Sequence, residues 1–325
     1  MTGPSIQPTR GPSGTNRSVL TRRAFGGVAA SAAIAVAAAA CGKSGSNSPL
    51  GDSDTSSPAP SGELVIGSAD FYEDTLLAWI YALALQDKGV KVSTKLSIGS
   101  RETYFAGLKD GSIDLMPEYT GALLLYLNKN ASAVTPDDVY NALKKEIPSK
   151  LELLKMSPAQ DSDSVVVTKE TAQKYHLKSI ADLKPVAGKL ILGGPPEWKT
   201  RETGVPGLKK KYGVVFKDFK PLDTAGPLTK NALKNDKIQA ANIFSTDPDI
   251  VKYGWVVLDD PKHMLPASNV VPIINKSKVT DTIRQTLDDL STKMDTDTLR
   301  ELDSKIQNDK QDPKAVAKAW LGSIG

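Results

Sequence analysis

From Leu64 onward short β-type runs alternate with helix-type segments, and this alternation limits the possible folds more than any other feature of the chain. Leu64-Val65-Ile66-Gly67 reads as a strand. After Ser68, Leu76, Leu77, Ile80, Tyr81 and Ala84 recur at helical spacing until Gly89. Val90 to Ile98 predicts a second strand with Val92, Thr94 and Leu96 on one face, Ser100 caps a helix carrying Tyr104, Phe105 and Leu108, and Ile113 to Met116 predicts a third strand stopped by Pro117. The same order resumes after residue 160, with strands at Val165–Val167, Leu190–Leu192, Ile238–Phe244, Trp255–Leu258 and Val270–Ile274 and a helix start at Ser179 with Asp182. The chain then turns helical around Val279–Met294, Thr298–Ile306 and Pro313–Leu321. Strands separated by helices imply right-handed βαβ units, hence an α/β fold of mostly parallel sheets flanked by helices. About 260 residues in this pattern exceed one small sheet, so two lobes with a cleft between them are expected.

The N-terminus reads as an address. Residues 1–23 are polar and basic, Ala24 to Ala40 are uncharged and Ala-rich, and Thr21-Arg22-Arg23-Ala24-Phe25 at the junction fits a twin-arginine export signal. Ala38-Ala39-Ala40-Cys41-Gly42 resembles a bacterial lipobox in which Cys41 is acylated, although Ala38 stands where such boxes usually carry Leu. The competing reading is a spanning helix, since 19 uncharged residues separate Arg23 from Lys43. Only Phe25, Val28, Ile34 and Val36 are larger hydrophobes there, which favours the signal. Residues 41–61 are rich in Ser, Gly and Pro with Leu50 as the single large apolar side chain, and predict a flexible tether. The chain is thus expected on the outer face of the cell membrane, anchored by lipid.

Charge then excludes several classes. The whole chain carries 41 Lys and Arg against 37 Asp and Glu, but four of the basic residues are Arg10, Arg17, Arg22 and Arg23 in the export signal, which leaves 37 of each sign. A neutral body with interspersed charges does not fit nucleic-acid binding, and Lys209-Lys210-Lys211 is a solvated helix face. Cys41 is the single cysteine, so no intramolecular disulfide forms, and two histidines, His176 and His263, leave little for a metal centre.

Several segments resemble one family in order and spacing. Leu64-Val65-Ile66-Gly67-Ser68 with Phe71-x-Glu73, Gly99-Ser100-Arg101-Glu102-Thr103, and Asp114-Leu115-Met116-Pro117-Glu118-Tyr119-Thr120-Gly121 are similar to the osmoprotectant-binding proteins of ABC importers, receptors for glycine betaine, choline, carnitine and related quaternary amines. Pro196-Glu197-Trp198-x-x-Arg201 before Gly204-x-x-Gly207-Leu208, Ser245-Thr246-Asp247, and Leu258-Asp259-Asp260-Pro261-Lys262-His263 before Pro266 continue the resemblance. It implies a two-lobed type II periplasmic-binding-protein fold, with residues 62–161 plus 266–325 in one lobe and 162–265 in the other. It also implies a monomer without cofactor or metal, a small-molecule ligand, and a permease and cytoplasmic ATPase as partners.

A quaternary ammonium donates no hydrogen bond, so its site must present the negative faces of aromatic rings, sometimes with a carboxylate. By resemblance Tyr119 is a cage tyrosine and Arg201 holds a ligand carboxylate through its planar fork, while Ser68, Ser100, Thr120, Ser245 and Thr246 are the hydroxyl candidates. The opening of the first helix beside Ser68 also offers backbone N–H groups to an anion. The chain departs from the family at Ala69, where a lysine is common, at Ala122, where a threonine is frequent, and at Ser268, where a tyrosine stands. Asp161-Ser162-Asp163 replaces an Asn-x-Tyr. Phe71, Tyr72, Trp198 and Phe244 are candidate substitute rings or ordinary core aromatics, and Asp161 and Asp163 either face a cation or hydroxyl-rich ligand or end a strand. The lost tyrosines open volume, so the alternative is a larger polar or aromatic ligand. An enzyme finds no support in a P-loop, a Gly-x-Gly-x-x-Gly or a triad signature, and Asp259-Asp260 reads as a turn. A protein-binding scaffold is the other remote alternative.

Overall fold

The computed structural model describes residues 62–325; the segments expected to be an export signal and a tether, with Cys41, lie outside the described residues. β1 (Leu64–Gly67), α1 (Tyr72–Asp87), β2 (Val92–Lys95), α2 (Arg101–Asp110), β3 (Leu115–Tyr119), α3 (Thr120–Leu127), α4 (Pro136–Glu146) and β4 (Leu151–Leu153) come first. The chain then crosses to β5 (Asp163–Val167), α5 (Lys169–Tyr175), β6 (Ile191–Gly194), α6 (Val205–Gly207), β7 (Asp218–Pro221), α7 (Pro227–Lys234), β8 (Ala240–Phe244), α8 (Pro248–Tyr253) and β9 (Val256–Val257). It returns as β10 (Val270–Asn275) and ends in α9 (Asp281–Lys293), α10 (Thr296–Gln307) and α11 (Pro313–Ile324).

Two five-stranded sheets result, ordered β2-β1-β3-β10-β4 and β7-β6-β8-β5-β9. Both follow one plan. Three strands are parallel, and the strand that arrives from the other lobe, β10 or β5, inserts antiparallel between the third and the edge strand. The two crossings lie side by side, with Gln160 bridging antiparallel to Asn269 and Asp161 N–H donating to Ser268 O at 3.0 Å.

Alternation along the strands sends successive side chains to opposite layers. Leu64, Ile66 and Leu115 pack with Leu76, Leu77 and Ile80 of α1 and Trp320 of α11, whereas Met116 joins Phe105, Leu108, Leu123 and Val139 on the other face. In the second sheet Val165 and Val167 face Leu192 and Trp198, and Val166 faces Leu233 and Ile243. α4 shows how local chemistry sets an element: Thr135 caps it, Pro136 opens it, Asp137 and Asp138 lie in its first turn, and Lys144 and Lys145 in its last.

Three of the departures from the sequence reading have a local physical cause. The first is at Pro117, which sits inside β3 opposite Pro272 of β10. Two prolines can face each other only where the antiparallel pair exchanges no N–H···O bonds, so neither breaks the ladder there. β2 stops at Lys95 because Ser97 takes φ 51° and turns its N–H to Ser68 Oγ at 2.8 Å. The third concerns the edge strands β4 and β7, too short and too exposed in part to stand out in the apolar pattern.

Candidate functional site

The carboxyl ends of β1, β3 and β8 point into the gap between the lobes, where open α/β sheets place their ligands. β1 delivers Phe71 as the residue preceding α1, β3 ends on Tyr119, and β8 ends on Phe244. The Phe71 ring lies 4.9 Å from that of Phe244 and 5.9 Å from that of Tyr119, both tilted by 37°, so a seam of three rings spans the lobes. Tyr119 is followed by a close approach: a Cβ on Gly121 would lie 2.5 Å from Ala267 O, which explains the glycine after Tyr119-Thr120.

Around this seam a cavity of about 70 Å³ is bounded by Asp161, Asp163, Asn242, Arg101, Arg201 and Ser100 as well as the rings. It continues past Asp70, Phe71, Ser100 and Glu197 into a cleft of about 1000 Å³ that reaches Tyr72, Lys230 and Tyr253. Ala69, Ala122 and Ser268, the positions where larger or charged side chains are usual in the resembling family, all border the cavity. Small residues there leave room beside Tyr119.

Electrostatics decide what this cavity favours. Arg101 is buried and forked onto Glu118, with Nε and Nη2 each donating at 2.9 Å, while Tyr104 OH donates to the same carboxylate at 2.7 Å. Arg201 reaches across the lobes and donates through Nε at 3.0 Å and Nη2 at 2.7 Å to Glu102. Partial burial works to raise Glu102, but the hydrogen bonds and charge of Arg201 bring it down to about 2. Both arginines are therefore neutralised within the protein, and Asp70, Asp161, Asp163 and Glu197 remain as an acidic excess on the wall. Burial, then the nearby charge of Glu73, raises Asp161, whose Oδ1 accepts from Ser245 Oγ and Thr246 N–H at 3.1 Å each. A cation in the cavity would favour its ionised form. Asn242 is held by Asp163, its Nδ2 donating at 2.9 Å.

The sequence candidates divide. Phe71, Ser100, Tyr119, Asp161, Asp163, Arg201 and Phe244 border the cavity, and Tyr72 borders the wider cleft. Arg201, expected to hold a ligand carboxylate, has its fork occupied by Glu102. Trp198 is corrected to a core residue: it is fully buried among Leu192, Leu208 and Tyr212, and a Cβ on Gly204 would lie 2.0 Å from its carbonyl oxygen. Ser68 and Thr120 are fully buried and bonded to backbone, Ser68 Oγ donating to Ala69 O and Thr120 Oγ1 accepting from Asn269 N–H. Ser245 and Thr246 sit behind the cavity on Asp161, with Thr246 Oγ1 also donating to Glu73 at 2.7 Å. Arg101, Tyr104 and Asn242 were missed; Asn242 carried a signal, being polar within the apolar run Ala240-Ala241-Asn242-Ile243.

Two lobes of one plan, joined by paired crossings beside a ring-lined acidic cavity, define a small-molecule-binding protein. The chain belongs to the family described as the substrate binding domain of ABC-type glycine betaine transport systems, which it matches over residues 62–323. It is 27% identical over 274 residues to the glycine betaine-binding protein YehZ of Escherichia coli K12, covering 80% of this chain and 90% of that one. It is also 27% identical over 267 residues to the ergothioneine transport permease/ergothioneine binding protein EgtU of Helicobacter pylori G27, covering 81% of this chain and 48% of that longer protein. In fold it resembles the crystal structure of a glycine betaine/carnitine/choline ABC transporter protein, with TM-score 0.64, 24% identity, and coverage of 80% of this chain and 98% of that one. Among the described residues no helix is long and apolar enough to cross a membrane.

Proposed function

We propose that this chain is the extracytoplasmic receptor of an ABC importer and captures a quaternary amine between its lobes. The observation that carries the reading is the ring seam of Phe71, Tyr119 and Phe244 beside Asp161 and Asp163, with both nearby arginines already neutralised. Rings supply negative faces to an ammonium that cannot donate a hydrogen bond, and the carboxylates supply long-range attraction. Lobes 62–161 plus 266–325 and 162–265 close on the paired crossings, and closure presents the loaded receptor to the permease and its ATPase. Cys41 tethers the monomer to the membrane, and no turnover accompanies binding.

A second reading keeps the class and changes the ligand. Ala69, Ala122 and Ser268 enlarge the cavity on the Tyr119 side, which favours a betaine with a larger polar or aromatic part, such as the ergothioneine in the name of the Helicobacter relative. Isothermal titration of residues 62–325 with glycine betaine, choline, carnitine and ergothioneine tests both. Heat with at least one is expected; no heat with any of the four would sink the quaternary-amine reading.

A further inference from the structure

Behind Tyr119, four carboxyl groups from separate parts of the chain meet where the lobes join. Glu73 comes from α1, Asp303 from α10, Asp161 from the first crossing and Asp247 from the start of α8, and all four are buried. The neighbouring ammonium, Lys230 of α7, pairs with one member of the four: it lies 2.5 Å from Asp247, 3.4 Å from Asp249 outside the group, and donates to Gln307 Oε1, which leaves Glu73, Asp161 and Asp303 without an ion pair among the described residues. Tyr72 OH leans on Asp247 at 3.5 Å, and Asp74, the next residue of α1, is turned away to accept Ala69 N–H.

Hydrogen bonds distinguish the members. Glu73 accepts from Tyr119 OH at 2.6 Å on one oxygen and from Thr246 Oγ1 at 2.7 Å on the other, so it behaves as the carboxylate. Asp303 is completely enclosed, and among the described residues neither of its carboxyl oxygens receives a donor. Its available partner is Glu73 itself. An ionised Asp303 there would be a desolvated anion beside a second anion; a protonated one turns the same contact into a donor-to-carboxylate bond.

We infer that Asp303 is a positioning residue that keeps a proton and donates it to Glu73, so that one buried acid fixes both the Tyr119 ring and the Thr246 contact across the lobes. Burial, then the charge of Glu73, raises Asp303, in keeping with this geometry. The pair titrates as a unit, and its proton belongs to the closed arrangement. Because Glu73 joins a cavity ring to the opposite lobe, losing that proton loosens both at once. Closure is thereby coupled to proton uptake, and affinity declines as pH rises.

The sign follows from linkage. Above the ordinary aspartate pKa of about 3.9 the unfolded chain has released this proton while the folded protein retains it, so stability falls with rising pH until the folded group itself titrates. Asp303→Asn keeps a neutral donor and removes the titration. Thermal unfolding of residues 62–325 from about pH 5 to about pH 9 should show the wild type losing on the order of 2–4 °C per pH unit relative to Asp303→Asn, over the range where the folded group holds its proton. Parallel profiles of the two proteins would overturn the inference. This arm needs no ligand, so it stands apart from the proposed function; in a ligand arm resting on that function, affinity for whichever amine gives heat should fall with pH in wild type and stay flatter in Asp303→Asn. If Asp303→Asn does not fold, the wild type's infrared spectrum decides: a protonated-carboxyl carbonyl band at about pH 8 whose position Glu73→Gln shifts supports the shared proton, and either no such band or one that Glu73→Gln leaves unmoved contradicts it.

Discussion

Two charged contacts lie where the lobes meet, and they differ: Arg201–Glu102 bridges the lobes directly, whereas Lys230 and Asp247 sit in the same lobe and reach the other through Gln307 and Tyr72. Arg201–Glu102 lies at the rim with side chains 22% and 41% exposed, whereas the junction behind Tyr119 holds Lys230–Asp247 at 9% and 0% together with Glu73, Asp161 and Asp303. In the rim pair, water screens each charge and little is lost when the contact breaks. At the junction every polar atom needs a protein partner, since breaking one bond strands another group without water. Breaking the rim pair should therefore cost little, whereas breaking the buried junction should cost much more.

The comparison breaks most easily at Lys230. Lys230→Met strands Asp247 and should cost about 3–5 kcal/mol of unfolding free energy, read by urea denaturation. Combining it with Asp247→Leu should recover most of that loss, because the charge that needed pairing is gone. A single-variant loss below about 1 kcal/mol would place the junction in the same class as the rim.

Next in size is the ring seam. Phe244→Ala removes the ring the second lobe contributes and should weaken quaternary-amine binding by roughly 30-fold, about 2 kcal/mol, in a calorimetric titration. Phe244→Tyr, which keeps a π face, should lose far less. Equal losses in the two variants would mean the ring fills space without contacting an ammonium.

The rim should give the smallest effect. Arg201→Ala or Glu102→Gln should change stability by about 0.2–1 kcal/mol, and the difference should shrink in about 1 M salt. Glu102 is held down to about 2. Its contribution is therefore present above the ordinary glutamate pKa of about 4.3 and lost as pH falls toward that lower value. Acid thus weakens the rim, whereas alkali weakens the junction, and pH profiles of the two sets of variants should slope in opposite directions.

Much of the scaffold was legible because it rests on local patterns. The runs at Leu64, Val165 and Val270 and the helical spacing through Leu76, Leu77 and Ile80 placed strands and helices of both lobes, and Phe71, Tyr119 and Phe244 were readable as site candidates in motifs that fall at or just beyond strand ends. Partnerships were hidden by distance along the chain. Nothing local marks Glu118 as the partner of Arg101, or Glu102 as the group that occupies Arg201. Trp198 stayed open between a substitute ring and a core aromatic because a buried and a cavity-facing tryptophan share one letter; its complete burial with Leu192, Leu208 and Tyr212 places it in the core. The acid junction was the least legible part, since Glu73 and Asp303 lie 230 positions apart and sit on ordinary-looking helix faces.

The most direct test of the account is a crystal structure of residues 62–325 with whichever quaternary amine gives heat. The alkylated nitrogen should lie within about 6 Å of the ring centres of Phe71, Tyr119 and Phe244, with Asp161 or Asp163 as the nearest carboxylate and Arg201 still paired to Glu102. A ligand seated in the wider cleft by Tyr253, with the three rings closed against one another, would contradict it.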